Sequence, residues 1–231
     1  MSFTERRSQL KATFKPRKEW WSRVFATPVA YIFLLAIADW RFITPNRLTV
    51  LSFFLSILSA ALIGRGGHSL LIAAGIILQI SYIIDCMDGQ LARYRNVTSN
   101  VGSFLDKWSD FIKFPLIILA LSVEAYSSAQ TITPIILGIS SVFLICYLPY
   151  LKMSALNDFG IVPWNILSGK GFLQRNLRFF LFEESQWYLI VSIGLFLHSS
   201  VGALFVLTIT QGIIATAQTI RVFVLIKQAT K

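Results

Sequence analysis

The sequence predicts an all-α integral membrane protein, with six transmembrane helices behind an N-terminal interfacial helix. Three observations predict it. Hydrophobic residues make up 55% of the 231 positions and charged residues 14%, with a mean hydropathy of +0.65. That is not the composition of a soluble globular domain. Apolar runs near the ~20 residues that cross a bilayer recur along the chain. Lys and Arg gather in alternate connections, as the positive-inside rule requires of a multi-pass protein.

Taken in order, residues 1–18 read as a polar, basic, mobile tail. Residues 19–43 read as a juxtamembrane helix lying along the cytoplasmic leaflet. Trp20 and Trp21 suit the headgroup level, and the apolar run from Ala26 to Ile37 is short and holds Pro28. A seventh span there would put the N-terminal basic cluster outside. Residues 44–231 then form one six-helix domain. Thr44-Pro45 opens the first span, since proline loses nothing at a helix start. The spans are expected near 48–66, 69–92, 100–123, 132–154, 184–199 and 202–226. A long connection at 155–183 separates the fourth from the fifth. Within it Ser168-Gly169-Lys170-Gly171 fails the nucleotide-loop pattern, because position 164 is Trp and position 171 is Gly. Residues 1–24 show no cleavable leader, being basic and polar without an apolar core.

Charge gives the orientation. Arg6, Arg7, Lys11, Lys15, Arg17, Lys18 and Arg23 precede the first span, and Arg41 and Arg47 lie at its start. Arg93 and Arg95 follow the second, Lys152, Lys170, Arg175 and Arg178 the fourth, and Lys227 and Lys231 end the chain. The opposite loops hold only Arg65. Both termini are therefore expected in the cytoplasm. The net charge of +10 reads as topology and attraction to anionic headgroups, not as a nucleic-acid surface. Cys86 and Cys146 have neither disulfide nor zinc spacing, and read as small packing residues.

One stretch carries chemistry. Asp85, Asp88 and Ala92 are spaced i, i+3, i+7, and Gly102, Asp106 and Asp110 are spaced i, i+4, i+8. Each set falls on one helix face. Ser99 or Asn100 can cap the second helix after the polar turn 95–100. Two antiparallel helices joined there bring four carboxylates together at the cytoplasmic end of the membrane. Such a cluster stays ionised only with a strong counter-charge, and all-oxygen ligation selects Mg²⁺ or Mn²⁺. Four acids suffice for a two-metal site that holds both oxygens of a displacement at phosphorus. Gly89 and Gly102 would admit a ligand close to the backbone, and Arg93 could pair with a phosphate. The rival class is a metal-ion or proton-coupled transporter that uses the same intramembrane acids.

The string D-x2-D-G-x2-A-R-x8-G-x3-D-x3-D, complete here as Asp85, Asp88, Gly89, Ala92, Arg93, Gly102, Asp106 and Asp110, resembles the signature of the CDP-alcohol phosphotransferase family. Pro45, Asn46 and Thr49 are similar to the family's Pro-Asn-x-x-Thr. The resemblance implies a membrane enzyme of phospholipid biosynthesis that moves a substituted phosphoryl group from a CDP-linked donor to an acceptor hydroxyl and releases CMP. It implies Asp85, Asp88 and Asp106 as metal ligands and Asp110 as ligand or base. It implies Asn46, Thr49, Gly89, Ala92, Arg93 and Gly102 as the holders of the CDP moiety, and a homodimer in the membrane.

His68 and His198 fall in far-side loops, so a general base on this site has to be a carboxylate, and Asp110 is placed for it. Lys113, which shares the face of Asp106 and Asp110, together with Lys152, Arg175 and Arg221, is expected to bind a phosphate on the acceptor. Arg221 continues a polar stripe with Gln211 and Gln218 that should face the bundle interior. Two pairings stay open: CDP-diacylglycerol with a polar or inositol-phosphate-like acceptor, or a CDP-linked polar alcohol with a lipid acceptor.

Overall fold

A computed structural model gives the architecture, describing residues 3–14, 20–161 and 184–229. The described residues form helices joined by short turns, with no strand among them: α1 (Phe3–Thr13), α2 (Thr27–Ile37), α3 (Pro45–Arg65), α4 (His68–Tyr94), α5 (Asn100–Ala129), α6 (Thr133–Phe159), α7 (Glu184–Phe196) and α8 (Ser200–Ala229). Five of these, α3, α4, α5, α6 and α8, are long and apolar enough to cross a membrane. The protein is an integral membrane protein. The span expected at 184–199 corresponds to α7, whose described part has 13 residues. That is about 20 Å of helix, short of a ~30 Å hydrocarbon core.

The outer surface matches a lipid solvent. Phe54, Phe111, Phe143 and Phe205 are exposed, while Ser52, Ser56, Ser81, Asp85 and Gln211 are buried. The α3–α4 contact is built from small polar residues: Ser56 and Ser81 share a 2.7 Å hydrogen bond, and Ser59 Oγ donates to the Ala74 carbonyl at 2.9 Å. Small side chains let the two backbones approach, and hydrogen bonds replace the hydrophobic drive that lipid cannot supply. The connection is two glycines, Gly66 and Gly67, at φ +69° and +92°, which a side chain would resist. His68 and His198 stack with ring centroids 4.0 Å apart. The α3–α4 and α7–α8 turns therefore sit at the same end.

The residues read as a mobile tail are in part an ordered helix. Leu10 of α1 is fully buried, and Phe14 just beyond α1 meets the edge of the Tyr31 ring. Arg6 pairs with Asp39 at 2.7 Å and donates to the Leu35 carbonyl. That pair is non-local, with no trace in local periodicity. Ahead of α2, residues Ser22–Ala26 form a π-turn in which the Thr27 N–H reaches the Ser22 carbonyl. Pro28 has no N–H and crowds the preceding turn, and a widened turn relieves both. The buried stripe Ala26, Ala30, Leu34 and Ala38 lies along this segment.

Arg95, just past α4, fastens the α2–α3 connection. Its guanidinium donates to the carbonyls of Ala38, Trp40 and Ile43 at 2.5–2.9 Å. Tyr94 Oη donates to Asp39 Oδ1 at 2.7 Å. The N-terminus of α3 is thereby fixed against the C-terminus of α4.

Candidate metal centre

Each motif residue is positioned by a helix end. Thr44 caps α3 by accepting from the Arg47 N–H at 3.3 Å, with Pro45 in the first turn. Ser99 caps α5 by accepting from the Gly102 N–H at 3.0 Å. Of the two caps the sequence offers, Ser99 is the one used. α3 packs against both α4 and α5. It brings the last turns of α4 and the first turns of α5 into register.

Asp85 and Asp88 on α4 and Asp106 on α5 each offer an oxygen, and these oxygens lie within 4.8 Å of one another. Asp85 and Asp88 are buried and Asp106 is half-buried. Three convergent carboxylates with nothing but oxygen to offer fit a hard divalent ion such as Mg²⁺ or Mn²⁺. Asp88 is held by its neighbours. Thr49 Oγ1 donates to Asp88 Oδ2 at 2.5 Å, and the Gly89 N–H donates to Asp88 Oδ1. Hydrogen bonds that orient a ligand in this way are typically worth about 10- to 100-fold in metal affinity.

Beside the carboxylates lies a cleft of about 200 Å³. Its walls include Asn46 and Thr49 of α3, Gly89, Ala92 and Arg93 of α4, and Gly102 and Asp106 of α5. A methyl group added at Gly102 would sit 3.2 Å from Asn46 Oδ1 and 3.3 Å from Ser99 Oγ. One added at Gly89 would sit 3.4 Å from the Arg93 guanidinium. The two glycines keep this cleft open.

Asp110 and Lys113 meet within the bundle beside this cluster. Lys113 is fully buried, and its ammonium pairs with Asp85 Oδ1 at 2.8 Å and with Asp110 Oδ1 at 2.7 Å. Asp85 and Asp110 therefore share an internal cation, held inside the bundle. The i, i+3 spacing from Asp110 put Lys113 on the right face, but pairing with Asp85 requires the α4–α5 geometry.

The remaining expected residues divide. Gln211 is buried on α8, and Gln218 and Arg221 are half-buried farther along it, with Gln218 Oε1 and Arg221 Nε shielded inside the bundle. The polar stripe faces inward. Lys152 is half-buried near the end of α6. Arg175 and the Ser168–Gly171 segment lie outside the described residues, as do Lys15, Arg17, Lys18, Lys170, Arg178 and Lys231. His68 lies at the start of α4, seventeen residues before Asp85. That is about 26 Å of helix, so no described histidine serves this site.

Residues 42–168 match the model of the CDP-alcohol phosphatidyltransferase family. This is more than half of the chain, and the chain belongs to that family. Among individual proteins, it is similar to the archaetidylinositol phosphate synthase of Pyrococcus horikoshii, 33% identical over 81 residues. The match takes in 35% of this chain and 42% of that protein. It is 41% identical over 70 residues to the bifunctional IPC transferase and DIPP synthase of Thermococcus kodakarensis, 29% of this chain and 15% of that one. The chain thus matches less than half the length of either relative. Its fold is that of the Mycobacterium tuberculosis phosphatidylinositol phosphate synthase PgsA1, solved with CDP-DAG bound. There the TM-score is 0.64 at 21% identity, over 86% of this chain and 94% of that one. A second structure of that synthase, in complex with manganese and citrate, gives a TM-score of 0.63.

Proposed function

We propose that this protein transfers a substituted phosphoryl group from CDP-diacylglycerol to a hydroxyl of a polar, phosphate-bearing acceptor, releasing CMP. The observation that carries the reading is the meeting of Asp85, Asp88 and Asp106 with the cleft of signature residues around Gly89 and Gly102. Asn46, Thr49, Gly89, Ala92, Arg93 and Gly102 hold the cytidine diphosphate. Asp85, Asp88 and Asp106 hold Mg²⁺ or Mn²⁺, with Asp110 completing a second position. Bound there, the metal would neutralise charge on the pyrophosphate and the transferring phosphoryl group. Asp110 accepts the acceptor's hydroxyl proton as its oxygen attacks phosphorus. The phosphorus–oxygen bond to CMP breaks, and CMP leaves with the electron pair. Lys152, Arg175 and Arg221 hold the acceptor phosphate through charge-assisted contacts.

Two features support a lipid-linked donor. An apolar cavity of about 360 Å³ lies between the Trp21–Phe25 segment, α4 and α7, lined by Ile76, Ile80, Ile83 and Leu189 among others. Its polar groups, Gln79 and Ser192, already bond to each other at 2.9 Å. The named activity of the Pyrococcus relative and the CDP-DAG bound by PgsA1 point the same way. In the membrane we infer six spans, with α7 as the fifth, and residues 19–43 as the interfacial juxtamembrane region. Both termini and the carboxylates then lie on the cytoplasmic side, and the protein acts as a homodimer.

The test supplies purified protein with Mg²⁺ and, in separate reactions, labelled CDP-diacylglycerol with inositol phosphate, inositol or glycerol phosphate, and a labelled CDP-linked polar alcohol with diacylglycerol. A labelled phospholipid with a phosphate monoester is expected. A product only from a CDP-linked polar alcohol and a diacylglycerol acceptor would reject the assigned direction.

A further inference from the structure

Lys113 is an unusual residue to find at the centre of an acidic site. Its side chain is fully buried, it bridges Asp85 on α4 to Asp110 on α5, and Phe114 and Tyr188 lie behind it with ring centroids 5.5 Å and 6.0 Å from the ammonium. Tyr188 is itself fully buried and stacked on Tyr82 at 4.5 Å. Carboxylates on one side and aromatic faces on the other make a fixed seat for a cation. We propose that Lys113 takes the counter-charge role of one metal in the resting site, so that a second divalent ion enters only together with the nucleotide pyrophosphate. This rests on the metal-centre reading above and extends it to how the site is loaded.

Charge balance carries the inference. Asp85, Asp88, Asp106 and Asp110 with Lys113 leave three negative charges. One divalent ion on Asp85, Asp88 and Asp106 leaves one. A second would turn the buried site positive beside an ammonium that cannot move away, and repulsion is strong at low effective dielectric. A nucleoside diphosphate adds negative charge at that point and makes room for the second ion. Without the Lys113 charge, two divalent ions match four carboxylates with no nucleotide present.

The experiment counts Mn²⁺ bound per chain to the full-length protein in detergent, by equilibrium dialysis with metal analysis, with and without CDP. Wild type should hold one Mn²⁺ alone and two with CDP. Lys113→Met should hold two without CDP, while Lys113→Arg should behave as wild type. Lys113→Gln keeps a polar hydrogen-bond donor at this position and removes the charge. It should also hold two, and it gives the reading if the Met variant does not fold. Two Mn²⁺ on wild type without CDP overturns the proposal, and so does a single Mn²⁺ on a folded Gln or Met variant. No Mn²⁺ on wild type with or without CDP would instead reject the metal centre itself.

Discussion

Thr49 on α3 donates a 2.5 Å hydrogen bond to Asp88 on α4, across 39 residues of sequence. Asp88 is a motif carboxylate and Thr49 closes the Pro45-Asn46-x-x-Thr49 segment. The two signature segments are thus joined directly, side chain to side chain, across α3 and α4.

Thr49→Val keeps the shape and removes the donor. Asp88 then loses the group that fixes its orientation. Metal affinity should fall about 10- to 100-fold, as is usual when a ligand's supporting hydrogen bond is removed. Mn²⁺ titration of the purified variant checks this. Unchanged affinity would reject the orienting role.

Packing gives an independent prediction. A methyl group at Gly138 on α6 would fall 1.9 Å from Ser122 Oγ and 2.8 Å from Ser122 Cβ on α5. Ser122 also donates to the Ile118 carbonyl at 2.7 Å, so it cannot yield without losing that bond. Gly138→Val should destabilise the protein by about 1–3 kcal/mol through overpacking. A thermal melt in detergent should show a lower midpoint for the variant, with Mn²⁺ affinity retained in the folded fraction.

The signature was legible because it is local. Asp85, Asp88, Asp106 and Asp110 fall on helix faces by spacing alone, and Pro45 and Ser99 mark the starts that place them. Lys113 was legible only as a residue on that face. Its partner Asp85 is 28 residues away, and the short separation depends on how α3 holds α4 and α5. The Arg95 clamp was illegible for the same reason. Three backbone carbonyls leave no mark on a sequence pattern. α1 was illegible as well: residues 1–18 read as a mobile tail, yet Phe3–Thr13 is a polar helix docked through Leu10 and Arg6.

Docking of α1 should depend on pH. The hydrogen bond from Tyr94, opposed by burial and reinforced by the hydrogen bond and charge of Arg6, holds the Asp39 carboxyl below its ordinary value. A lowered native value means the contact is fully present above the unfolded value near 4. It is lost as pH falls through the lower native one. The hydrogen-exchange protection of residues 3–13, referred to the intrinsic amide rate at each pH, should be high at pH 7 and fall below pH 4. In Asp39→Asn it should be low at every pH. Protection that persists in the Asn variant would reject Asp39 as the anchor.

Lys152 and Arg221 should act on the acceptor. Each charge-assisted contact to a phosphate contributes about 1.5–3 kcal/mol. Lys152→Ala or Arg221→Ala should therefore raise the acceptor KM about tenfold or more and leave the donor KM little changed. An unaltered acceptor KM in both variants would favour an acceptor without a phosphate.

The most direct measurement is CMP release from CDP-diacylglycerol by the purified protein, in the presence of Mg²⁺ and a phosphorylated polyol acceptor. Wild type should release CMP in step with new phospholipid, stop on chelation and resume on readdition of Mg²⁺ or Mn²⁺. Asp88→Asn and Asp106→Asn, inserted in the membrane and folded, should lose nearly all turnover, since a lost ligand removes several kcal/mol of charge stabilisation. Undiminished CMP release in the chelated sample, or near-normal turnover in either variant, would contradict the assignment of these carboxylates as the metal centre of a CDP-dependent transferase.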